Sequence, residues 1–415
     1  MSDSTRRAAP EIVAKQRIMP LSYGRVIGGG SKKDEARFLT RIGARFGPDT
    51  HAIPIGRARM GIHLLAKLSV KGERRRVLMS PFTIPDVVTM VVLAGAEPVF
   101  YDFEPGSTAA SLESLGRLVD ERTAAVIVTH YHVNEVRLPE IAALCRKHGA
   151  YLFDDCAISF GGEINGKPIG TLTDASVFSF SSFKLMNYFW GGLITTRDAS
   201  LAHRLNEIAG AWPRLTPQQY RGAAQACLRY DLASSPLLFK ALVFPIIRAR
   251  IRKSAASKGL EPIRIETGEI DKTLTSRPSL AAFAEWTPKL DKAGAWLDQR
   301  RGIAAIYRRQ LAQHMVGAAT PERIIAGSCF TNFPVLVPEA RCAGIARSMM
   351  LAGFDIGRAL YPNAHCHPKF TGIAGETGNV DRMVASTLYL PTHFGVSPGY
   401  AEAIASRLAG EIQAR

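Results

Sequence analysis

The chain has 415 residues, 47% of them hydrophobic, with 36 glycines and 24 prolines spread along it. That is the composition of a globular protein large enough for a main domain and a smaller one. Six singly scattered cysteines without a C-x-x-C pair exclude a disulfide framework and a structural zinc site, while a formal charge of +16 and a pI near 9.8 favour anionic partners.

The N-terminus, MSDSTRRAAPEIVAKQRIMP, has no apolar core of a secretory signal. No run of about eighteen uninterrupted apolar residues predicts a membrane span. A cytoplasmic protein with reduced thiols is the expectation. Residues 1–25 read as an N-terminal extension. GRVIGGGSKK (24–33) is glycine-rich but lacks P-loop spacing and sits outside any strand–helix unit.

From about residue 50 to 210, short β-rich runs alternate with helical ones. RVLMS (76–80) is a predicted strand, VVTMVVLAG (87–95) a helix and PVFYDF (98–103) a strand. SLESLGRLVD (111–120) is helical, AAVIVTHY (124–131) a strand, and LPEIAALCRKHG (138–149) a helix ending at its glycine. YLFDD (151–155), ASVFSF (175–180) and LITT (193–196) follow as strands. Nearly continuous apolar strands separated by helices predict an α/β fold with a mainly parallel sheet covered on both faces. Ligands bind beyond the carboxyl ends of such strands, where His130, Asp155 and the stretch from Ser179 to Lys184 fall.

Residues 213–275 break this rhythm. The segment SSPLLFKALVFPIIRARIRKSAASKG (234–259) is an apolar block running into Arg248, Arg250, Arg252, Lys253 and Lys258. Two readings stay open: a buried helix with a solvated basic exit, or an element making weak membrane-surface contact through 234–253. Pro245 is expected to end or kink any helix there. Residues 278–314 read as a long helix with an early break at Pro288. FTNFPVLVP (330–338) is a strand, and helices are expected over 341–352 and 398–413. The resulting division is a cofactor-binding domain over 26–275 and a connecting helix with a small α+β domain over 276–415.

FSFSSFKLMNYFWGG (178–192) holds one lysine, Lys184, where two buried strands meet, 29 residues after Asp155. Pyridoxal phosphate chemistry needs such a pair. A lysine amine condenses with the cofactor aldehyde, and a carboxylate keeps the pyridine nitrogen protonated. Desolvation of a lysine among apolar neighbours lowers its pKa toward the nucleophilic amine. Ser179 is placed to donate to the cofactor phosphate.

At these residues the chain resembles the DegT/StrS-type sugar aminotransferases, with their type I (aspartate aminotransferase) pyridoxal phosphate fold. The resemblance rests on PFTIPDVVTMVVLAGAEPVFYDFEP, AVIVTHYHVNEVRLPEI, LFDDCAISFGGEINGKPIGTLTDASVFSFSSFKLMNYFWGGLITT and TLYLPTHFGVS. It implies Lys184 as the catalytic lysine, Asp155 as the pyridinium partner and Ser179 as a phosphate ligand. The family's Gly-Thr phosphate loop corresponds to GRARMG (56–61), which brings in Ala58 and Arg59. The position of the ring-stacking aromatic holds Ile84. Where a neighbouring subunit supplies Asn and Arg, this chain has Thr275 and Arg277. The family's glutamine and histidine after the aspartate are replaced by Ile158 and Phe160. His130, Tyr131 and His365 are the expected substrate-binding residues. His365 and His367, in NAHCHPKF, are read as a loop at the substrate mouth and not as metal ligands.

The implied function is transfer of an amino group from an amino acid, glutamate, to a nucleotide-linked keto sugar in polysaccharide or secondary-metabolite biosynthesis. A homodimer with a shared active site follows from the same resemblance. Alternatives are a family member acting on a lipid-linked or non-nucleotide ketone, and a non-catalytic cofactor-binding regulator. No G-x-S-x-G elbow or aromatic-interleaved basic motif appears, so neither a serine hydrolase nor a nucleic-acid partner is expected.

Overall fold

The structure, a computed structural model, describes residues 19–24, 29–132, 137–253, 270, 274–318, 322–358 and 363–414. Most of the N-terminal extension and the basic stretch beyond Lys253 lie outside them.

Strands β1 (His51–Ile55), β2 (Arg76–Met79), β3 (Glu97–Phe100), β4 (Thr123–Thr129) and β5 (Tyr151–Asp155) join two later strands in one sheet. A short two-stranded hairpin, β6 (Glu163–Ile164) and β7 (Lys167–Pro168), precedes those two, β8 (Ala175–Ser179) and β9 (Gly192–Thr196). The seven-stranded order is β1-β9-β8-β5-β4-β2-β3. Only β9 runs against its neighbours; β8, β5, β4, β2 and β3 pair in parallel.

The alternation of side chains along these strands explains their unbroken apolar sequence. Val126, Val128, Leu152, Phe178 and Leu193 point to one face, where they share a core with Phe38, Ile42 and Phe46 of helix α1 (Lys32–Phe46). Ala125, Ile127, Phe153, Val177 and Ile194 point to the other. There they meet α2 (Ala58–Ser69) through Ile62 and Leu65 and α3 (Pro85–Leu93) through Val87 and Val91. Helix α1 starts at a capping box in which Ser31 and Asp34 satisfy each other's backbone N–H groups.

Helices α4 (Leu112–Leu118), α5 (Leu138–Lys147) and α6 (Ala199–Gly210) complete the layers. After α6 comes α7 (Pro217–Ala233), then a helical stretch from Pro236 that widens into a π turn over Phe239–Val243 and continues as α8 (Phe244–Lys253). Pro245 therefore neither ends nor breaks this helix, contrary to expectation. It sits at the start of α8 directly after the π turn, where the wider i→i+5 geometry relieves the clash and donor loss that proline causes in a regular helix.

Helix α9 (Leu280–Leu311) is the second departure: it runs through Pro288 without a break. Phe283 and Trp286 are buried against the large core, and the Lys289 amine pairs with Glu285 at 3.1 Å and with the Asn187 carbonyl at 2.7 Å. Tertiary packing on both sides of Pro288 outweighs the missing N–H. The other half of α9 buries Ile303, Tyr307 and Leu311 in a separate core with Phe333, Val335, Leu388 and Leu390. That core belongs to a three-stranded antiparallel sheet of β10 (Asn332–Leu336), β12 (Thr387–Pro391) and β11 (Gly357–Arg358). Helices α10 (Glu322–Gly327), α11 (Glu339–Leu351), α12 (Gly378–Ser386) and α13 (Pro398–Gln413) accompany it.

Trp286 lies fully buried against Phe38, Phe180 and Phe283. Trp286→Ala is expected to cost about 3–5 kcal/mol in urea unfolding. Leu237→Ala, at a side chain 84% exposed, should change stability by less than about 0.5 kcal/mol.

Candidate active site

The parallel strands bring their carboxyl ends to one edge, and a cleft of about 130 Å³ opens there. Phe82 to Ile84, Thr129 to Tyr131, Asp155, Ala157, Ile158 and Lys184 line it. Each is the last residue of β4 or β5 or follows the end of β2, β4, β5 or β8, so strand register helps set the spacing of the site.

The lysine loop is closed at its base, with Phe180 N–H donating to the Gly191 carbonyl at 2.9 Å and Tyr188 N–H to the Phe180 carbonyl at 2.8 Å. Both glycines at its exit are sterically required. A Cβ on Gly192 would lie 2.9 Å from the Phe178 carbonyl and 3.0 Å from the Ala58 nitrogen, and one on Gly191 would lie 2.4 Å from the Trp286 ring. Within the loop, Lys184 N–H bonds to the Ser181 carbonyl at 3.0 Å. Met186, Asn187 and Tyr188 turn into the core, whereas Phe189 and Trp190 help line a second, larger cavity.

Burial pushes the Lys184 amine down to about 8; Asp155 opposes this and the Arg300 charge adds to it. Burial also raises the Asp155 carboxyl above its usual range, against the Ala157 N–H, which it accepts at 3.0 Å, and against the Lys184 charge. The site thus holds a lysine biased toward its neutral form and a carboxylate whose ionisation a nearby cation would restore.

Beside it lies a cavity of about 610 Å³, walled by Arg57, Arg59, Ser181, Ser182 and Trp190 and by the α7 residues Gly222, Ala223, Ala226, Cys227 and Tyr230. Helix α2 begins here at Ala58. Its N-cap, Arg57, makes no side-chain capping bond and stacks its guanidinium 3.5 Å above the Trp190 ring. Arg59 pairs with the buried Asp86. Ser179, at the end of β8, donates to Ser181 at 3.3 Å, and Ser181 faces this cavity. Backbone donors of a helix start, guanidinium groups and hydroxyls together form a setting for a phosphate.

Of the residues expected from sequence, Lys184, Asp155, Ile84, His130 and Tyr131 meet in the cleft, and Arg59 lies in the adjoining cavity. His130 is fully buried with Nε2 3.3 Å from Asp154. The Tyr131 hydroxyl donates to the Phe82 carbonyl and contacts Ser80 at 3.0 Å, so its ring rather than its hydroxyl faces the cleft. Arg277 is turned away, with Nε donating to the Trp212 carbonyl at 3.1 Å. His365 faces Asp381 at 3.2 Å and is not among the residues lining the cleft. Ile158 lines the cleft, but Phe160 packs into the core against Phe46, Phe178 and Phe180.

Three neighbours escaped the sequence reading. Arg300, on α9, is 7% exposed, and burial lowers its pKa. His132 is buried, accepts the Asn332 N–H on Nδ1 at 3.1 Å, and is pushed down to about 3 by burial and by the Lys184 and Arg300 charges. Arg300 comes from a segment whose local pattern gives no hint of proximity to Lys184, whereas His132 directly follows His130 and Tyr131. Trp190 stands in the lysine stretch with no role read for it.

The similarities to known proteins extend this picture. Residues 24–212 match the sequence profile of the DegT/DnrJ/EryC1/StrS aminotransferase family. GDP-perosamine synthase from Vibrio cholerae is 32% identical over 162 residues, 39% of this chain and 44% of that protein. A dTDP-4-dehydro-2,3,6-trideoxy-D-glucose 4-aminotransferase from Saccharopolyspora spinosa is 24% identical over 93% of this chain and 89% of that one. The chain spans about half the length of the curated relatives it matches most strongly, 50%, 44% and 57%. Among solved structures, an aminotransferase from Streptoalloteichus hindustanus superposes with a TM-score of 0.73 at 20% identity, over 96% of this chain and 98% of that one. A Helicobacter pylori aminotransferase involved in pseudoaminic acid biosynthesis gives 0.73 at 17% identity, over 97% and 99%. The fold is the one these solved aminotransferases share, and residues 24–212, a little under half of the chain, are similar to the DegT/DnrJ/EryC1/StrS aminotransferase family.

Proposed function

We propose that the protein is a pyridoxal 5'-phosphate-dependent aminotransferase that moves an amino group from glutamate to a nucleotide-linked keto sugar. The observation that carries this reading is the convergence of Lys184 and Asp155 on one cleft, the amine held near 8 by burial. The cofactor, when bound, supplies an aldehyde that accepts and returns an amino group and a cationic ring that draws electrons from the substrate carbon.

The residues fit that group. Asp155, buried with its carboxyl pushed upward, gains a cationic partner by holding a proton on the ring nitrogen. Ser179, the first N–H groups of α2 at Ala58 and Arg59, and the Arg57 and Arg59 guanidiniums would hold the phosphate. Ile84 and Ile158, which line the cleft, would cover the ring and exclude water. A lysine that is neutral in a substantial fraction near pH 8 is suited to carry the proton between the substrate carbon and the carbon that bore the aldehyde.

The names of the relatives support a sugar substrate: they include a GDP-perosamine synthase and a UDP-N-acetyl-3-dehydro-alpha-D-glucosamine 3-aminotransferase. The basic excess of the chain suits a diphosphate linkage. A role in polysaccharide or secondary-metabolite biosynthesis, a homodimer with a shared site, and a cytoplasmic location complete the proposal. The six cysteines, all free, are in keeping with a reducing compartment.

Two experiments test this. Protein reconstituted with the cofactor should become yellow, and borohydride reduction followed by peptide mass spectrometry should place the label on Lys184. The Lys184→Ala variant should carry none there, and labelling of a different lysine would sink the assignment. Added glutamate should discharge the colour with release of one equivalent of 2-oxoglutarate.

The second concerns Asp155. Its negative charge holds the Lys184 pKa up, so Asp155→Asn should lower it further. In cofactor-free protein, the pH at which Lys184 becomes reactive toward an amine-acylating reagent should shift from about 8 to lower values. Transamination by the same variant should slow by about 10²–10³-fold.

A further inference from the structure

The segment that interrupts the family pattern carries most of the exposed large aliphatic side chains among the described residues. From Leu232 to Lys253 there is no acidic residue, while Lys240, Arg248, Arg250, Arg252 and Lys253 are basic. All five basic side chains are exposed. Leu237, Leu238, Leu242 and Ile246 are 84%, 42%, 59% and 57% exposed. Leu238, Leu242 and Ile246 recur every four residues, so they form a stripe along the outer side of this helical stretch.

The inner side is anchored. Phe239 is buried, and the Arg252 carbonyl accepts from Arg347 of α11 at 3.3 Å. The apolar stripe is therefore not a helix awaiting its own core.

We propose that this arm is a docking surface for an anionic lipid bilayer, on which the protein lies without crossing it. Contiguous exposed leucines flanked by basic residues match both parts of such a surface, the acyl boundary and the phosphate layer. Among the described residues no single helix is long and apolar enough to cross a membrane. The one pair that reaches the required length, Pro217–Ala233 with Pro236–Lys253, is bent by 64°, a shape suited to lying in the interface. A second copy of the chain fits less well, because a symmetric contact would set five positive charges against the same five.

The arm also connects to the site. Gly222, Ala223, Ala226 and Cys227 of α7 wall the arginine-lined cavity, and the Cys227 thiol donates to Ser182 at 3.1 Å. On its exposed side the same helix carries Leu228 and Leu232. Docking would hold that cavity next to the headgroups, whatever the acceptor is.

The test is flotation of the full chain with vesicles of phosphatidylcholine alone or mixed with phosphatidylglycerol. Binding is expected only to the mixed vesicles and should be released by raising the salt. Leu242→Asp with Ile246→Asp, and separately Arg248→Glu with Arg250→Glu, should each reduce binding about tenfold or more. Both variants should keep the wild-type circular dichroism and light-scattering mass. Failure of the wild type to float with mixed vesicles would overturn the proposal, as would variants that float like the wild type. A fall in mass of the Leu242→Asp, Ile246→Asp protein would assign the stripe to a contact between copies instead. None of these outcomes depends on cofactor binding, so they leave the aminotransferase reading to its own tests.

Discussion

A lysine amine held out of water beside a single buried carboxylate is the interaction on which the rest of the site depends. Keeping an ammonium in such a place is unfavourable, and the protein answers by lowering the Lys184 pKa to about 8 rather than by surrounding it with acids. Asp155 is the one carboxylate among the residues that line the cleft. Its own burial raises its pKa, so each group is poised to change its protonation when a third charged group arrives. A fully neutralising shell would make the lysine a plain structural cation. An apolar shell without Asp155 would depress the amine further and leave no anion for a cationic ring.

Backbone geometry makes that arrangement available. Parallel strands end together, so β4, β5 and β8 deliver His130, Asp155 and the lysine loop to one edge. The loop is then pinned by contacts that allow no side chain at Gly191 or Gly192 and by the aromatic cluster of Phe180, Phe283 and Trp286 behind it. Helix α9, which carries Trp286, also carries Arg300 toward Lys184 and Tyr307 into the smaller core. The electrostatics of the lysine thus depend on the packing of a helix whose sequence begins about a hundred residues later.

This distance explains which parts were legible in the sequence. The strands of the large sheet are short, apolar on both faces and bounded by turns, so period and composition locate those from β2 onward to within three residues, whereas β1 was not read as a strand. Lys184 and Asp155 stand out because each is charged at the end of such a strand. Arg300 and His132 do not stand out. Arg300 reaches Lys184 through the packing of α9, which no local pattern encodes, and His132 carries no signal beyond its place after His130 and Tyr131. The prolines misled for a related reason. Local rules break helices at Pro245 and Pro288, whereas a π turn in one case and packing on both sides in the other keep the chain helical. Arg277 is placed by resemblance and His365 as part of a loop at the substrate mouth, and the structure gives each an intramolecular partner, the Trp212 carbonyl and Asp381.

The inserted arm sets a different physical problem, that of a fold carrying surface it does not bury. Four large aliphatic side chains between Leu237 and Ile246 are at least 42% exposed, while an equally apolar sheet behind them is covered on both faces. The chain therefore has enough helical cover for its core, and the arm's leucines are surplus to folding. Their basic neighbours oppose close self-association through like-charge repulsion and favour an anionic surface. Helix α7, which leads into the arm, walls the arginine-bearing cavity, so basic groups stand both at the site and on the arm. A negatively charged acceptor approaching that cavity and an anionic bilayer beneath the arm would be drawn by one field. Ionic strength should therefore weaken both together, whereas removing the leucines should separate them.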